Sequence, residues 1–360
     1  MKILLFTLEY PPFHGGVANY YGNLVKYWPE PAKIFVLNNN AGRLINNKLP
    51  FLKWLPAYFA LRQKIKQEKI EHILIGQILP LGTVALICAR FGKTEYSVIL
   101  HGLDLAFALK RWRKKWLAGK ILKNSKKIIC SNGYVAEMAR RAFSDLERKI
   151  DVVNPGVENR ATRNAQLVTQ IRDKYNLENK IILLSVGRLV KRKGFDKVIG
   201  AMPAVLKQVP NLVYFILGNG EEIDNFKFKI SNLKLEKNII IITDAPDDEK
   251  NIWYNLSDIF IMPARNIGGD FEGFGIVYLE ANLAGKPVIA GRSGGVPDAV
   301  IDGLNGLLVN PESVADITQA IIKLALDPDL RRKLGEQGRI RAINDFNWEK
   351  QVNKIYKAIT

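Results

Sequence analysis

Residues 180–199, KIILLSVGRLVKRKGFDKVI, show the pattern from which the fold can be predicted. The segment starts with an apolar run of strand length and continues into a basic loop that bends at Gly194. Runs of the same kind recur along the chain, separated by segments long enough for helices. This alternation is typical of a parallel β-sheet with crossover helices. The sequence therefore predicts an α/β protein.

The apolar runs form two groups, which predicts two domains. The first group is KILLFT, AKIFVLN, HILIGQ, YSVILHG and KIIC, and the second is KIILLSVGRL, NLVYFILGNG, NIIIITDA, DIFIMPA, KPVIAG and GLLVN. The polar segment VVNPGVENRATRNAQ between them is typical of a linker. A chain of 360 residues also suits two such domains. We predict domains at 1–157 and 158–344, and an amphipathic helix at 345–360.

Positive charge is concentrated in the first half of the chain. The protein has 53 Lys and Arg against 35 Asp and Glu, a formal net charge of +18. Residues 1–157 hold 25 basic and 10 acidic side chains, whereas residues 158–360 hold 28 and 25. This asymmetry indicates an anionic partner such as a membrane surface, a nucleic acid or a phosphorylated substrate, with solubility alone as the alternative.

The remaining compositional features favour a cytoplasmic protein. Cys88 and Cys130 each lie in an apolar run, which predicts buried, unpaired thiols. The first ten residues contain too short an apolar run for a secretory signal. The longest apolar stretch, residues 73–89, is short for a membrane span and contains Pro80, so we expect a strand, a turn and a helix there.

Two strand ends in the first half carry candidate ligand-binding residues. Gly15 and Gly16 follow the first strand, where they allow a sharp turn and close approach of a ligand to a helix start. A plain turn is the alternative. His101 follows YSVIL, and we expect either a structural histidine or a hydrogen-bonding group that acts near neutral pH.

Two strand ends in the second half carry charged candidates. Arg188 and Lys193 follow KIILLSVG and suit a diphosphate clamp, with a solvated basic loop as the alternative. In DFEGFGIVYLEANLAG, Glu272 is expected in a loop and Glu280 about one turn into a helix. The backbone amides of 274–276 would be exposed at the helix start.

The spacing of the two glutamates argues against hydrolysis. Eight helical residues rise about 12 Å, and a glycosidase carboxylate pair needs roughly 5–9.5 Å. The spacing suits two parts of one long ligand, because carboxylates accept hydrogen bonds from vicinal hydroxyls. Neither His-x-x-x-His nor Cys-x-x-Cys occurs, so we expect no metal and no cofactor.

Together these residues resemble the retaining glycosyltransferases of family 4, which have the GT-B fold. The match runs from the Gly-Gly loop to GGVPDAVIDGLNGLLV, and its most specific element is Glu272 to Glu280 within EGFGIVYLEA. The resemblance implies two facing, Rossmann-like, doubly wound domains with a cleft between them. It also implies that the first domain binds the acceptor and the second the nucleotide sugar, and that the final helix packs back on the first.

The resemblance assigns roles to single residues. Glu280 would bind the ribose, Glu272 the donor hexose, and His101 the reacting sugar. Arg188 and Lys193 would hold the diphosphate and take part in catalysis together with Glu272 and His101. The remaining donor-binding residues would be Gly16, Phe274, Gly275 and Ile276, through their backbones.

Within the family, the second half is most similar to GDP-mannose-dependent mannosyltransferases that act on phosphatidylinositol mannosides. The resemblance implies transfer of mannose with retention of configuration, by front-face attack of an acceptor hydroxyl, without metal. The acceptor would be lipid-linked or a glycan. A UDP-glucose- or UDP-GlcNAc-dependent transferase of the same fold, or an inert nucleotide-sugar-binding protein, are alternatives.

A segment rich in cations and tryptophan follows His101. If ALKRWRKKWLAGKILKNSKK forms one helix, two tryptophans fall four residues apart among clustered cations. The candidate membrane contacts are Lys110, Arg111, Trp112, Arg113, Lys114, Lys115 and Trp116. Such a helix favours peripheral binding to an anionic membrane, here the inner face of the plasma membrane. A solvated helix with core tryptophans is the alternative, and the absence of a recognisable module argues against nucleic acid.

Overall fold

The protein divides into two compact α/β units. The computed structural model describes residues 1–13, 15–48, 52–92, 94–158, 165–246 and 249–360. One unit consists of 1–156 with 348–360, and the other of 157–347. Within the described ranges, each unit contains one six-stranded sheet whose paired strands are all parallel. The α/β prediction is confirmed, while 159–164 of the predicted linker lie outside the described residues.

The first unit begins with alternating strands and helices. Its strands are β1 (Ile3–Phe6), β2 (Ile34–Leu37), β3 (His72–Ile75), β4 (Glu95–Leu100), β5 (Ile128–Cys130) and β6 (Ile150–Val152). Its helices up to residue 142 are α1 (Gly16–Lys26), α2 (Leu55–Glu68), α3 (Leu81–Phe91), α4 (Leu103–Leu109), α5 (Trp112–Asn124) and α6 (Gly133–Ala142). The strand order is β2-β1-β3-β4-β5-β6.

Helices cover both faces of this sheet, and the strand sequences explain why. Successive side chains of a strand point to opposite faces. Accordingly, Leu4 and Phe6 join one hydrophobic core, whereas Ile3 and Leu5 join another. Because both sets are apolar, β1 is buried on both sides, as expected for a parallel sheet.

The apolar stretch and the two cysteines of this unit have the structure that the sequence predicts. The apolar stretch 73–89 forms most of β3, a turn and most of α3, as predicted. Cys88 and Cys130 are buried and free, and burial raises the pKa of the Cys88 thiol to about 11. Strand β6 was missed, because it is only three residues long and contains Asp151.

The second unit repeats the pattern. Its strands are β7 (Ile181–Val186), β8 (Leu212–Leu217), β9 (Ile239–Ile242), β10 (Ile259–Met262), β11 (Val288–Gly291) and β12 (Gly306–Val309). Its helices are α7 (Ala165–Lys174), α8 (Phe195–Gln208), α9 (Ile223–Asn232), α10 (Glu249–Leu256), α11 (Ile276–Leu283), α12 (Val296–Ala299), α13 (Val314–Leu326) and α14 (Pro328–Asp345). All six predicted strands are present.

The strand order of the second sheet shows where a ligand site should lie. The order is β12-β11-β10-β7-β8-β9. The chain therefore winds outward in both directions from β7, and the winding reverses between β7 and β10. Open α/β sheets bind ligands at such a switch point, beyond the carboxyl ends of the strands. The loops after β7 and β10 are the segments that carry Arg188, Lys193 and Glu272.

The last helix, α15 (Trp348–Ile359), belongs to the first unit. Its buried side chains Trp348, Val352, Ile355 and Ile359 recur at intervals of three and four and so form one apolar face. They join the hydrophobic core that contains Ile3 and other residues of β1 and α1. Among the described residues, no helix is both long and apolar enough to cross a bilayer.

Candidate functional site

Glu272 lies at the centre of an ion-pair network in the second unit. Its Oε2 is 2.7 Å from Nζ of Lys193 and 2.5 Å from Nη1 of Arg192. The Nε of Arg192 is in turn 3.2 Å from Oδ1 of Asp270. Glu272 and Lys193 are 9% and 8% exposed, so these charges are largely withdrawn from water.

Burial and charge act in opposite directions on this network. Burial raises the pKa of the Glu272 carboxyl, but the charges of Lys193 and Arg192 outweigh burial and hold that pKa below its usual value. Burial lowers the pKa of the Lys193 ammonium, and the carboxylate of Glu272 opposes this effect. An ionised glutamate therefore holds Lys193 in place.

The basic turn that carries Lys193 is fixed by close backbone packing. Lys191–Lys193 form a 3₁₀ turn that ends at Gly194, whose φ is +77°. A Cβ at Gly194 would lie 2.2 Å from the carbonyl oxygen of Pro263, so only glycine fits. The loop after β7 is thereby pressed against the loop after β10.

Arg188, the other predicted member of the diphosphate clamp, lies on the same loop. It directly follows Gly187 after β7 and is exposed. Its positive charge contributes to lowering the pKa of Lys193, which places the two cations within electrostatic range. The structure thus brings Arg188, Lys193 and Glu272 together at the switch point, and adds Arg192.

Glu280 is held by a tyrosine within the second unit. It lies about one turn into α11, as predicted, and accepts a hydrogen bond of 2.8 Å from the hydroxyl of Tyr254 on α10. Burial and the charge of Glu280 raise the pKa of Tyr254 well above its usual value, so the phenol remains a donor. The carboxylate therefore has a fixed orientation.

The start of α11 provides backbone donors close to Glu272. Gly275 precedes the helix with a φ of +80°, and no side chain caps its amides. A Cβ at Gly275 would lie 2.3 Å from the ring of Tyr278, so this turn requires glycine. Phe274 is buried, with its ring 5.6 Å from that of Phe346. The first amides of a helix attract anions, so the uncapped start of α11 is a candidate phosphate contact.

In the first unit, His101 is held by neighbouring aromatic residues. Its Nε2 is 2.8 Å from the hydroxyl of Tyr21, which donates a 2.6 Å hydrogen bond to the carbonyl of Gly76. Because the hydroxyl hydrogen of Tyr21 points to the carbonyl of Gly76, the Tyr21 oxygen accepts the hydrogen bond from Nε2 of His101. Burial lowers the pKa of His101 to about 4. The ring is therefore neutral at neutral pH.

Gly16 is the first residue of α1, with Gly15 before it. The φ of Gly15 is 173°, an extended conformation, and neither glycine has a left-handed backbone. A Cβ at Gly16 would meet no atom within 4 Å. The backbone conformation of these residues therefore does not require glycine, and the feature that remains is an open helix start.

The basic segment after His101 forms two helices. Helix α4 ends at Leu109 and α5 begins at Trp112, because Arg111 is extended (φ −129°). Trp112 and Trp116 are 76% and 62% exposed, so the alternative that they belong to the core is wrong. All seven predicted membrane contacts are exposed. Phe107 on α4, which the sequence did not single out, is 60% exposed and adds to this surface.

The comparison with protein families identifies the class. The model of glycosyl transferases group 1 matches residues 168–341, and that of glycosyltransferase family 4 matches residues 14–160. An uncharacterised glycosyltransferase of Methanocaldococcus jannaschii is 30% identical over 75% of this chain and 69% of its own. The chain belongs to the family 4 glycosyltransferases, and the enzyme class predicted from the sequence is confirmed.

Two further proteins are similar to this chain over nearly its whole length. The GDP-mannose-dependent alpha-(1-6)-phosphatidylinositol monomannoside mannosyltransferase of Mycolicibacterium smegmatis is 28% identical over 96% of this chain and 95% of its own. The solved sucrose-phosphate synthase of Thermosynechococcus elongatus superposes with a TM-score of 0.81 at 20% identity, covering 100% of this chain and 98% of its own. The fold class is GT-B, as predicted.

Proposed function

We propose that the protein transfers mannose from GDP-mannose to a hydroxyl group of a lipid-linked or glycan acceptor, with retention of configuration and without metal. The similarity to a mannosyltransferase named for GDP-mannose supports the donor. The observation that carries the proposal is the contact of Lys193 with Glu272 at the switch point of the second sheet.

We assign the diphosphate, the ribose and the mannose of the donor to separate residues of this site. Arg188 and Lys193 hold the diphosphate, assisted by the amides of 274–276. Glu280, oriented by Tyr254, accepts hydrogen bonds from the ribose hydroxyls. Glu272 accepts hydrogen bonds from the hydroxyls of the mannose. Within the described ranges, no group of three or more His, Cys, Asp and Glu side chains is suited to hold a metal ion.

The reaction breaks one bond and forms one bond at the anomeric carbon. The acceptor oxygen attacks from the face that the diphosphate leaves, and the departing phosphate oxygen takes the acceptor proton. Arg188 and Lys193 stabilise the charge that develops on the diphosphate. His101 is neutral, so any part it plays in the reaction is through hydrogen bonding and not through charge.

The surface of α4 and α5 supports an acceptor that is held at a membrane. Exposed tryptophans beside clustered cations bind the interface of anionic lipid bilayers. Arg113 lies 5.2 Å from the ring centre of Trp112, and Lys120 lies 5.7 Å from that of Trp116. We assign this surface to peripheral attachment at the cytoplasmic face of the membrane.

A panel of donors tests the proposal. The purified protein is mixed with GDP-mannose, UDP-glucose, UDP-GlcNAc and the free nucleotides, without metal, and thermal unfolding and sugar release are measured. We expect stabilisation by GDP and slow release of mannose from GDP-mannose. Stabilisation by UDP compounds alone would show that the donor is a UDP-sugar. Binding of a donor that the protein never turns over, even when acceptors are present, would indicate an inert binding protein.

A further inference from the structure

Arg192 is a largely buried cation that the assignment of donor contacts leaves without a role. Its side chain is 11% exposed and contacts two carboxylates, those of Glu272 and Asp270. The neighbouring Lys191 is 67% exposed and lies 4.0 Å from Glu222. Of these two adjacent cations, only Arg192 contacts Glu272.

The backbone fixes Arg192 in this position. Its carbonyl oxygen accepts a 2.8 Å hydrogen bond from the amide of Arg265, in the loop after β10. The Nη2 atom of Arg265 is 3.0 Å from both carboxylate oxygens of Asp196, near the start of α8. Since Arg265 is only 6% exposed, this link holds the basic turn to the same loop that leads to Glu272.

Lys193 therefore has two competing partners if the proposed function is correct. Its ammonium is occupied by Glu272, and the same ammonium is assigned to the donor diphosphate. A diphosphate that approaches Lys193 weakens its pairing with Glu272. A buried carboxylate that loses its only counter-ion becomes protonated, because an isolated buried charge is costly.

We infer that Arg192 is a positioning residue that keeps Glu272 ionised and in place while the nucleoside diphosphate draws Lys193 away from it. The inference rests on the proposed function and extends it to a residue outside the donor contacts. Arg192 is suited to this role because Asp270 holds its Nε while Nη1 bonds Glu272. A guanidinium also stays charged at any pH at which the protein is folded.

Proton uptake during GDP binding tests the inference. Calorimetric titrations in two buffers of different ionisation enthalpy measure the protons taken up by wild type, Arg192→Gln and the control Lys191→Gln. We expect Arg192→Gln to take up more protons than wild type and to bind GDP about tenfold more weakly, because Glu272 holds Lys193 more tightly. Lys191→Gln should match wild type. Equal uptake by Arg192→Gln and wild type would overturn the inference.

Glu272→Gln provides a second test that does not depend on Arg192→Gln being folded. Without the carboxylate of Glu272, no shared anion holds Lys193 and Arg192, so the diphosphate has no competitor for Lys193. GDP should therefore bind more tightly to this variant than to wild type. Unchanged or weaker binding would show that Glu272 and the diphosphate do not compete, and would also overturn the inference. If wild type bound no nucleotide of the donor panel, the proposed function itself would fail, and the inference with it.

Discussion

The Nζ atom of Lys193 lies 2.7 Å from Oε2 of Glu272, although the two residues are far apart in the chain and follow different strands. The parallel order of the sheet explains the contact, because β7 and β10 are neighbours and end at the same edge. The contact joins a residue assigned to the diphosphate with one assigned to the sugar.

Glu272→Gln should reduce turnover by roughly a hundredfold or more without weakening GDP binding. The amide keeps the size of the side chain but loses the charge that interacts with the reacting sugar. Steady-state kinetics and calorimetry measure the two effects separately. Glu280→Gln is the matched comparison, and it should mainly weaken nucleotide binding. A parallel loss of turnover and GDP affinity in Glu272→Gln would contradict its placement at the sugar.

Lys193→Ala should weaken GDP binding by about tenfold to a hundredfold, as expected for the loss of a hydrogen bond to a charged group. Lys191→Ala removes an exposed lysine two residues away and should bind GDP like wild type. Calorimetric titration with GDP measures both variants. An unchanged affinity in Lys193→Ala would remove this lysine from the diphosphate site.

Replacing Trp112 and Trp116 by alanine should reduce binding to vesicles that contain anionic lipid. Their indole rings are exposed among cations, so they are available to enter the lipid interface. Sedimentation with anionic and with zwitterionic vesicles measures the effect. Phe91→Ala, which removes an 81% exposed ring at the end of α3, is the control. If the double variant sedimented with anionic vesicles as fully as wild type, α5 would be a solvent-exposed helix that does not bind the membrane.

The stability of the protein should rise with pH between about 4 and 6.5, in part because of His72. Burial, followed by the charge of Lys126, lowers the pKa of this histidine to about 4, whereas the unfolded chain binds the proton near 6.5. Unfolded molecules thus carry more protons in this window, which stabilises them as the pH falls. His72 contributes about 3 kcal/mol at most to this change in the free energy of unfolding.

Urea unfolding at several pH values measures this dependence. His72→Gln should flatten the slope, although His101, whose pKa is also about 4, should retain part of it. Ser97→Ala removes the hydroxyl that lies 3.0 Å from Nε2 of His72 but keeps the histidine, and so should keep the slope. An identical slope in His72→Gln and wild type would contradict the lowered pKa.

The fold could be predicted because the strands that decide it are apolar on both faces. Ile3 to Phe6 and Ile181 to Val186 are buried almost throughout, so their apolar runs are continuous in the sequence. The edge strand β6 lacks this signal. The break between α4 and α5 was also missed, because Lys110 and Arg111 are acceptable in a helix and nothing in the local pattern predicts an end there.

The candidate site could be predicted only in part. Arg188, Lys193, Glu272 and Glu280 could be singled out as candidates because each follows a strand end or matches a family motif. Arg192 was missed, because sequence spacing does not reveal which of three consecutive cations points toward a carboxylate 80 residues further along the chain. The lowered pKa of His101 depends on burial, which has no local sequence signal.

The most direct test of the central claim is transfer of mannose itself. The protein is incubated with GDP-mannose carrying labelled mannose, a chelator and a bacterial membrane lipid extract, and both GDP and lipid-borne label are quantified. The account predicts GDP release matched by labelled mannose in the lipid fraction, and both should fall by roughly a hundredfold or more in Glu272→Gln. Release of no nucleotide from GDP-mannose, with or without acceptor lipid, would contradict it.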